Sequence, residues 1–228
     1  MKKSKGIKIL TVIVLFLTLA TGALFILRPT IMDNRRMESE QALISRIESG
    51  ETDIQDISLP EMEGEEYETE SLLEGVEPIA AEEEIAEEQA EAEGYAVISI
   101  PSIDLKMAVM RGADTKSLRG GAGWLPGSAE IGSAGNCVIL GHRMKTYGRH
   151  FNRLDELIAG DVVTLTVADG STFDYVVSDK AVMTPEEVSK ALTAYTDGFK
   201  LTLVTCTPTG VGSHRLLVYC EYKPLLKF

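Results

Sequence analysis

A thiol, a guanidinium and an imidazole are the side chains in this sequence best placed to do chemistry together. Cys206 closes the run Leu201-Thr202-Leu203-Val204-Thr205, and Thr207-Pro208-Thr209-Gly210 follows it as a turn. Alternating β-branched and aliphatic residues read as a buried strand, so the thiol stands at a strand end, where it is expected to be exposed and rigidly held. A second apolar run, Arg215-Leu216-Leu217-Val218-Tyr219, begins after Gly212-Ser213-His214. So short a loop makes the two runs neighbouring strands and sets a fixed cation beside the thiol. An electropositive, partly exposed setting is the kind that lowers a thiol pKa and makes a nucleophile of it. A core cysteine at a strand end is the competing reading.

Each of the other candidate groups has a rival. Of the three histidines, His142 follows the apolar strand Val138-Ile139-Leu140 at Gly141, a strand-end position like that of Cys206. His214 adjoins Arg215, but successive side chains of a strand alternate, so its ring is expected on the opposite side. His142 is favoured and His214 stays open. His150 precedes the pattern Phe151, Leu154, Leu157 and reads as the flank of a short helix or a surface residue. Cys137 and Cys220 lie inside apolar runs and read as buried small hydrophobes rather than a disulfide.

The elements that must hold these groups occupy only part of the chain. Residues 1–50 carry eight Lys/Arg against four acids, residues 51–93 eighteen acids and no base, and residues 94–228 fourteen bases against thirteen acids. The net charge of −13 therefore comes from the middle segment, and the last part has no nucleic-acid footprint. Lys2, Lys3, Lys5 and Lys8 precede an uncharged stretch from Ile9 to Leu27. Its length spans a bilayer, and the lysines predict a cytoplasmic N-terminus with the remainder outside; a cleaved signal peptide is the alternative. Residues 1–28 thus read as basic tail and anchor, and residues 29–93 as an acidic linker. Ala42, Leu43, Ile44 and Ile47 predict a short amphipathic helix there, and Leu72, Leu73, Val76 and Ile79 are candidates to lie over a cleft. A single sign of charge with few aromatics otherwise describes a solvated spacer. Its glutamates, like Asp179, Glu186 and Glu187 further on, are read as solvated rather than as metal ligands, and no cofactor is expected.

From residue 94 on, seven short strands are expected: Ala96 to Ile100, Met107 to Met110, Asn136 to Leu140, Val162 to Val167, Thr172 to Val177, Lys200 to Cys206 and Arg215 to Glu221. Helical patches fall at Thr115 to Arg119, Phe151 to Ile158 and Pro185 to Leu192. Short strands with Gly/Pro/Asp turns describe an all-β domain, closed or nearly closed, with helical inserts over residues 94–228. Trp124, in Gly-Ala-Gly-Trp-Leu-Pro-Gly, reads as a loop residue packed on the barrel.

Thr202-Leu203-Val204-Thr205-Cys206, then His214-Arg215-Leu216-Leu217-Val218, with Gly141-His142-Arg143 upstream and Ile98-Ser99-Ile100-Pro101-Ser102-Ile103 at the start, resembles the sortase signature. Sortases are membrane-anchored cysteine transpeptidases of Gram-positive bacteria. The resemblance implies a closed eight-stranded β-barrel and a catalytic Cys206, His142 and Arg215, with Thr205 and Thr207 as substrate contacts. It implies cleavage of an LPXTG-like sorting signal between Thr and Gly through a thioacyl-enzyme, and transfer to an amine of a peptidoglycan precursor or a pilin lysine. The strands around Cys206 and Arg215 are most similar to class C, whose Asp-Pro-aromatic lid motif has no counterpart in residues 29–94. Members of that class often carry a second apolar segment at the C-terminus, and Pro224 to Phe228, too short to span, is not expected to serve as one. Because the third member is a cation, it disfavours a charged imidazole, and the thiolate–imidazolium pair is expected to be a minority form at neutral pH. A thiol peptidase that mainly hydrolyses and a non-catalytic, membrane-tethered peptide-binding barrel are the other readings.

Overall fold

A computed structural model describes residues 16, 18, 21, 35, 37–52, 72, 93–145 and 150–224. The chain divides into two units, Met1–Ser39 and Glu40–Phe228. In the first, Phe16, Thr18 and Thr21 are helical; the rest of the expected span from Ile9 to Leu27 lies outside the described residues. Among the described residues no helix is long and apolar enough to cross a membrane.

The second unit is a closed barrel. Its strands are β1 (Glu93–Ile100), β2 (Leu105–Arg111), β3 (Ala122–Trp124), β4 (Gly135–Leu140), β5 (Val162–Val167), β6 (Thr172–Met183), β7 (Phe199–Thr207) and β8 (His214–Tyr222). They close in the order β1-β2-β3-β4-β7-β8-β6-β5, with β5 pairing β1. Pairing is antiparallel except for β2 with β3 and β4 with β7. Helix α1 covers residues 37–48, α2 Thr115–Gly120 and α3 Pro185–Ala194.

Eight strands form where the residue patterns suggested seven. The additional one, β3, is three residues long and built on Ala122-Gly123, too short and too small-residued to register as a strand. Trp124 is therefore a strand residue, buried in the barrel interior, edge-on to Tyr95 with ring centroids 5.7 Å apart. Its indole N–H donates to the Ala129 carbonyl at 3.0 Å. Strand β6 runs on to Met183 past a bulge between Val177 and Asp179, and residues Phe151–Glu156 wind as a 3-10 helix.

Side-chain parity sorts the core into layers. Cys137, Ile139, Leu201, Leu203, Leu216, Val218 and Cys220 fill the barrel, as alternate residues of β4, β7 and β8 should. Their neighbours Val138, Leu140, Val204, Cys206 and Leu217 face outward and are roofed by Leu118 of α2 and by Val188 and Leu192 of α3. On the opposite wall α1 lays Leu43 and Ile47 over Val97, Ala108 and Met110. Each of these two fully buried side chains contributes roughly 1.5–3 kcal/mol. Gly94 makes the approach possible, since a Cβ there would stand 2.7 Å from Ile47 Cγ1. Lys106 Nζ on β2 reaches Glu48 Oε1 of α1 at 2.7 Å.

Candidate active site

Cys206 and Arg215 are directly opposed across the antiparallel β7/β8 pair. Opposed residues of such a pair hold their Cβ atoms about 5 Å apart, so the register alone sets thiol beside guanidinium. The imidazole arrives by a different route. Leu140 pairs in parallel with Val204, and the match carries on past the strand end: Gly141 N–H donates to Val204 O at 3.1 Å, and Thr205 Oγ1 donates to Gly141 O at 2.7 Å. His142 and Cys206 each lie two residues beyond that last pair, past the same end of the β4/β7 pairing. His214 instead pairs with Thr207, one step past the thiol, and its Nδ1 lies 2.9 Å from Ser213 Oγ.

All three groups are more enclosed than strand ends usually are. Cys206 is 8% exposed, His142 1% and Arg215 0%. The expectation of an exposed thiol is corrected here, and the cause is the outward-facing cluster: Leu72, itself fully buried, packs in the same group as Cys206. Arg215 donates through Nη1 to the carbonyls of Gly212, at 2.8 Å, and His214, at 3.1 Å, which ties the β7–β8 loop to its own strand. Thr205 faces the barrel interior and spends its hydroxyl on Gly141 O, whereas Thr207 keeps part of its surface open. The other two thiols lie inside the barrel. Burial pushes Cys220 up to about 12 and drives Cys137 upward as well, so neither is available as a thiolate near neutral pH.

A second set of residues braces the loop that carries His142. Arg143, 9% exposed, donates from Nη1 to Thr207 Oγ1 at 2.9 Å and pairs through Nη2 with Asp155 Oδ1 at 2.8 Å. It thus ties the histidine loop to the strand that carries the thiol. Arg143 also bridges to His150, whose neighbour Phe151 donates its N–H to His142 O at 3.0 Å. His150 is buried, 6% exposed, and its ring centroid lies 6.5 Å from that of His142. His150 does flank a helix, as the N-cap residue of the 3-10 helix Phe151–Glu156, but the reading of it as a surface residue is corrected: the ring is buried. Glu187 caps α3, accepting from Thr184 N at 3.0 Å and Thr184 Oγ1 at 3.1 Å.

The family profile described as "Sortase domain" matches residues 98–223, more than half of the chain. The chain belongs to the sortase family. It is 29% identical to "Sortase A" of Bacillus anthracis over 121 residues, 53% of this chain and 56% of that protein. It is also 29% identical to "Sortase SrtE1" of Streptomyces coelicolor, over 56% of this chain and 40% of the relative. The chain spans about half the length of the curated relatives it matches. Among solved structures, sortase C-1 of Actinomyces oris is 38% identical with a TM-score of 0.52, covering 57% of this chain and 73% of that one. Sortase A of Corynebacterium diphtheriae is 28% identical with a TM-score of 0.55, covering 86% of each. The closed eight-stranded barrel is the sortase fold.

Three further residues of the site escaped the sequence reading. Arg143 sits in Gly141-His142-Arg143, where residue type alone gives it no task of its own. His150 precedes the pattern Phe151, Leu154, Leu157, and nothing in residue type marks its ring as buried. Glu40 reaches His150 Nε2 at 3.6 Å from α1, more than a hundred residues away in sequence, a proximity no local pattern encodes.

Proposed function

We propose that this sortase is a membrane-anchored cysteine transpeptidase acting on an LPXTG-like sorting signal. Cys206, as thiolate, attacks the carbonyl carbon of the Thr–Gly bond. The carbon–nitrogen bond breaks, His142 gives its proton to the departing amine, and a thioester to Cys206 remains. An incoming amine, from a peptidoglycan precursor or a pilin lysine, then attacks the thioester. His142 takes the proton of that amine, the new amide forms, the carbon–sulfur bond breaks, and Cys206 leaves as a thiolate beside the protonated imidazole, ready for another cycle. Arg215 supplies a fixed positive charge, always present, to the oxygen on which negative charge builds in both steps. Arg143 and Thr205 brace the wall on which the thiol stands, and the open part of Thr207 contacts the peptide.

The observation that carries this reading is the double register: β8 sets Arg215 opposite Cys206, and the parallel β4 brings His142 to the same end of β7. A binding barrel has no need of three such groups in one place. Leu72 restrains access to the thiol and gives way when peptide binds, which assigns part of the 29–93 segment a covering role. The span from Ile9 to Leu27 anchors the chain, with the barrel outside the cell.

The test uses the full chain in detergent with a fluorogenic LPXTG peptide, with and without an amine acceptor. Ligated product in wild type and none in Cys206→Ala is the expected result. Hydrolysis that an acceptor never diverts would point to a thiol peptidase instead. Cleavage that survives Cys206→Ala would remove the thiol from the mechanism.

A further inference from the structure

His150 has no part in the chemistry above, yet several costs are met to hold it where it is. Its backbone sits at φ 46°, ψ −142°, on the positive-φ side that L residues seldom occupy and that a glycine would fill without strain. The side chain is an ionisable ring buried to 6% exposure, where Phe or Leu would be easier to desolvate. Its Nδ1 is buried with no hydrogen-bond partner among the described residues. Strain and a buried polar ring at one position accumulate where a site requires them and the surroundings over-determine the geometry.

What lies on either side of the ring says what it serves. Towards the site is His142, with ring planes 47° apart and the two loop ends joined by the Arg143–His150 bridge and the Phe151 N–H to His142 O bond. The ring's other neighbour is Glu40 of α1, whose Oε1 stands 3.6 Å from His150 Nε2. The helix that carries Glu40 is itself fixed to the barrel by Leu43 and Ile47. Charged groups close by on the other elements are engaged elsewhere: Arg143 with Asp155 and Thr207, and Asp155 with Arg143.

We propose that His150 is a positioning residue for His142, oriented from behind by Glu40. This rests on His142 being the acid and base of the reaction. Packing from His150 limits the ring of His142 to the orientation that faces Cys206, and the Glu40 carboxylate selects the face that His150 presents. The N-terminal helix and the catalytic imidazole are thereby coupled through one side chain. A small misorientation of a general acid costs rate without weakening peptide binding, which separates this role from a stabilising one.

The experiment measures steady-state cleavage of the LPXTG-like peptide by the full chain for wild type, His142→Ala, His150→Phe, Glu40→Gln and the double variant, with thermal melts alongside. His150→Phe keeps a ring of similar volume and loses both nitrogens. It is expected to lower kcat on the order of tenfold while KM stays within about twofold. Glu40→Gln, altered at a partly exposed position, lowers kcat by about threefold. Added to His150→Phe it lowers kcat no further, because the two act through one path. Wild-type kcat in a folded His150→Phe variant overturns the proposal, as do losses that multiply independently in the double variant. If His150→Phe does not fold, Glu40→Gln decides alone, and unchanged kcat there overturns it. Activity retained in His142→Ala defeats the mechanism on which the proposal stands, whereas an inactive His142→Ala beside a fully active His150→Phe defeats only the proposal.

Discussion

Replacing Leu72 by Ala tests whether the wall over Cys206 opens. Leu72 is fully buried and shares an apolar cluster with Cys206, which is 8% exposed, so under the proposed covering role reagent and peptide reach the sulfur only when that packing loosens. Truncating a fully buried leucine removes about 2–3 kcal/mol of transfer free energy from the covered state and leaves the opened state nearly untouched. At about 1.4 kcal/mol per factor of ten, the open population rises between roughly 30-fold and roughly 140-fold when opening is a pre-equilibrium, and less where neighbours close over the gap. The assay is the second-order rate of iodoacetamide alkylation at Cys206, with Cys206→Ala as blank, read beside kcat/KM for the peptide. At least a tenfold faster alkylation and a raised kcat/KM are expected. Leu165→Ala, equally buried but inside the barrel, controls for general loosening and leaves the alkylation rate near wild type. Should Leu72→Ala lower the melting temperature while alkylation stays at or below the wild-type rate, the leucine is only a stabilising contact and the covering role is wrong.

Three other outcomes follow from single positions. Gly141→Ala sets a Cβ 2.7 Å from the Phe151 ring, and because Gly141 also joins β4 to β7, peptide cleavage should fall at least tenfold at unchanged peptide concentration. Asn136 is buried, accepts from Thr202 Oγ1 at 2.8 Å and donates to Leu192 O at 3.1 Å, so Asn136→Ala is expected to cost about 1–3 kcal/mol in urea unfolding. Cys220, pushed up to about 12 from 9, keeps its proton in the folded chain while the unfolded chain loses it. Stability is therefore whole below pH 9 and drains as pH rises toward 12, by about 1.4 kcal/mol per unit, and urea midpoints of Cys220→Ala at pH 8 and pH 10.5 should differ by less than those of wild type.

The parts of this molecule that were legible in its sequence are those encoded over short distances. Strands β7 and β8 are joined by a short loop, so alternation and turn residues sufficed to set Arg215 beside Cys206. The β4/β7 pair is parallel and its members lie more than sixty residues apart, so residue types alone left His142 and His214 both standing, and the family resemblance had to separate them. Leu72 lies in an acidic run whose composition describes a solvated spacer, and one buried leucine does not alter a composition. His150 owes its place to a backbone conformation that only tertiary structure imposes. Strand β3 was missed for a different reason: three residues, two of them small, carry almost no periodic signal, yet the barrel closes through them.

The parity of Cys206 along β7 makes the whole site a matter of register. Leu201, Leu203 and Thr205 point into the barrel, and Thr202, Val204 and Cys206 point out, so a slip of one residue would bury the thiol inside and turn Thr205 to the site. An apolar strand pair between two apolar layers does little to forbid such a slip, because Val, Leu and Ile fit either face. The polar side chains forbid it. Thr202 Oγ1 to Asn136 Oδ1 on the outer face and Thr205 Oγ1 to Gly141 O on the inner face each fit one alignment of β4 with β7 only, and a shifted pair would leave both hydroxyls buried without partners. Two threonines thereby hold the alignment of β4 with β7 that keeps Cys206, opposite Arg215, on the outer face and sets His142 past the same strand end.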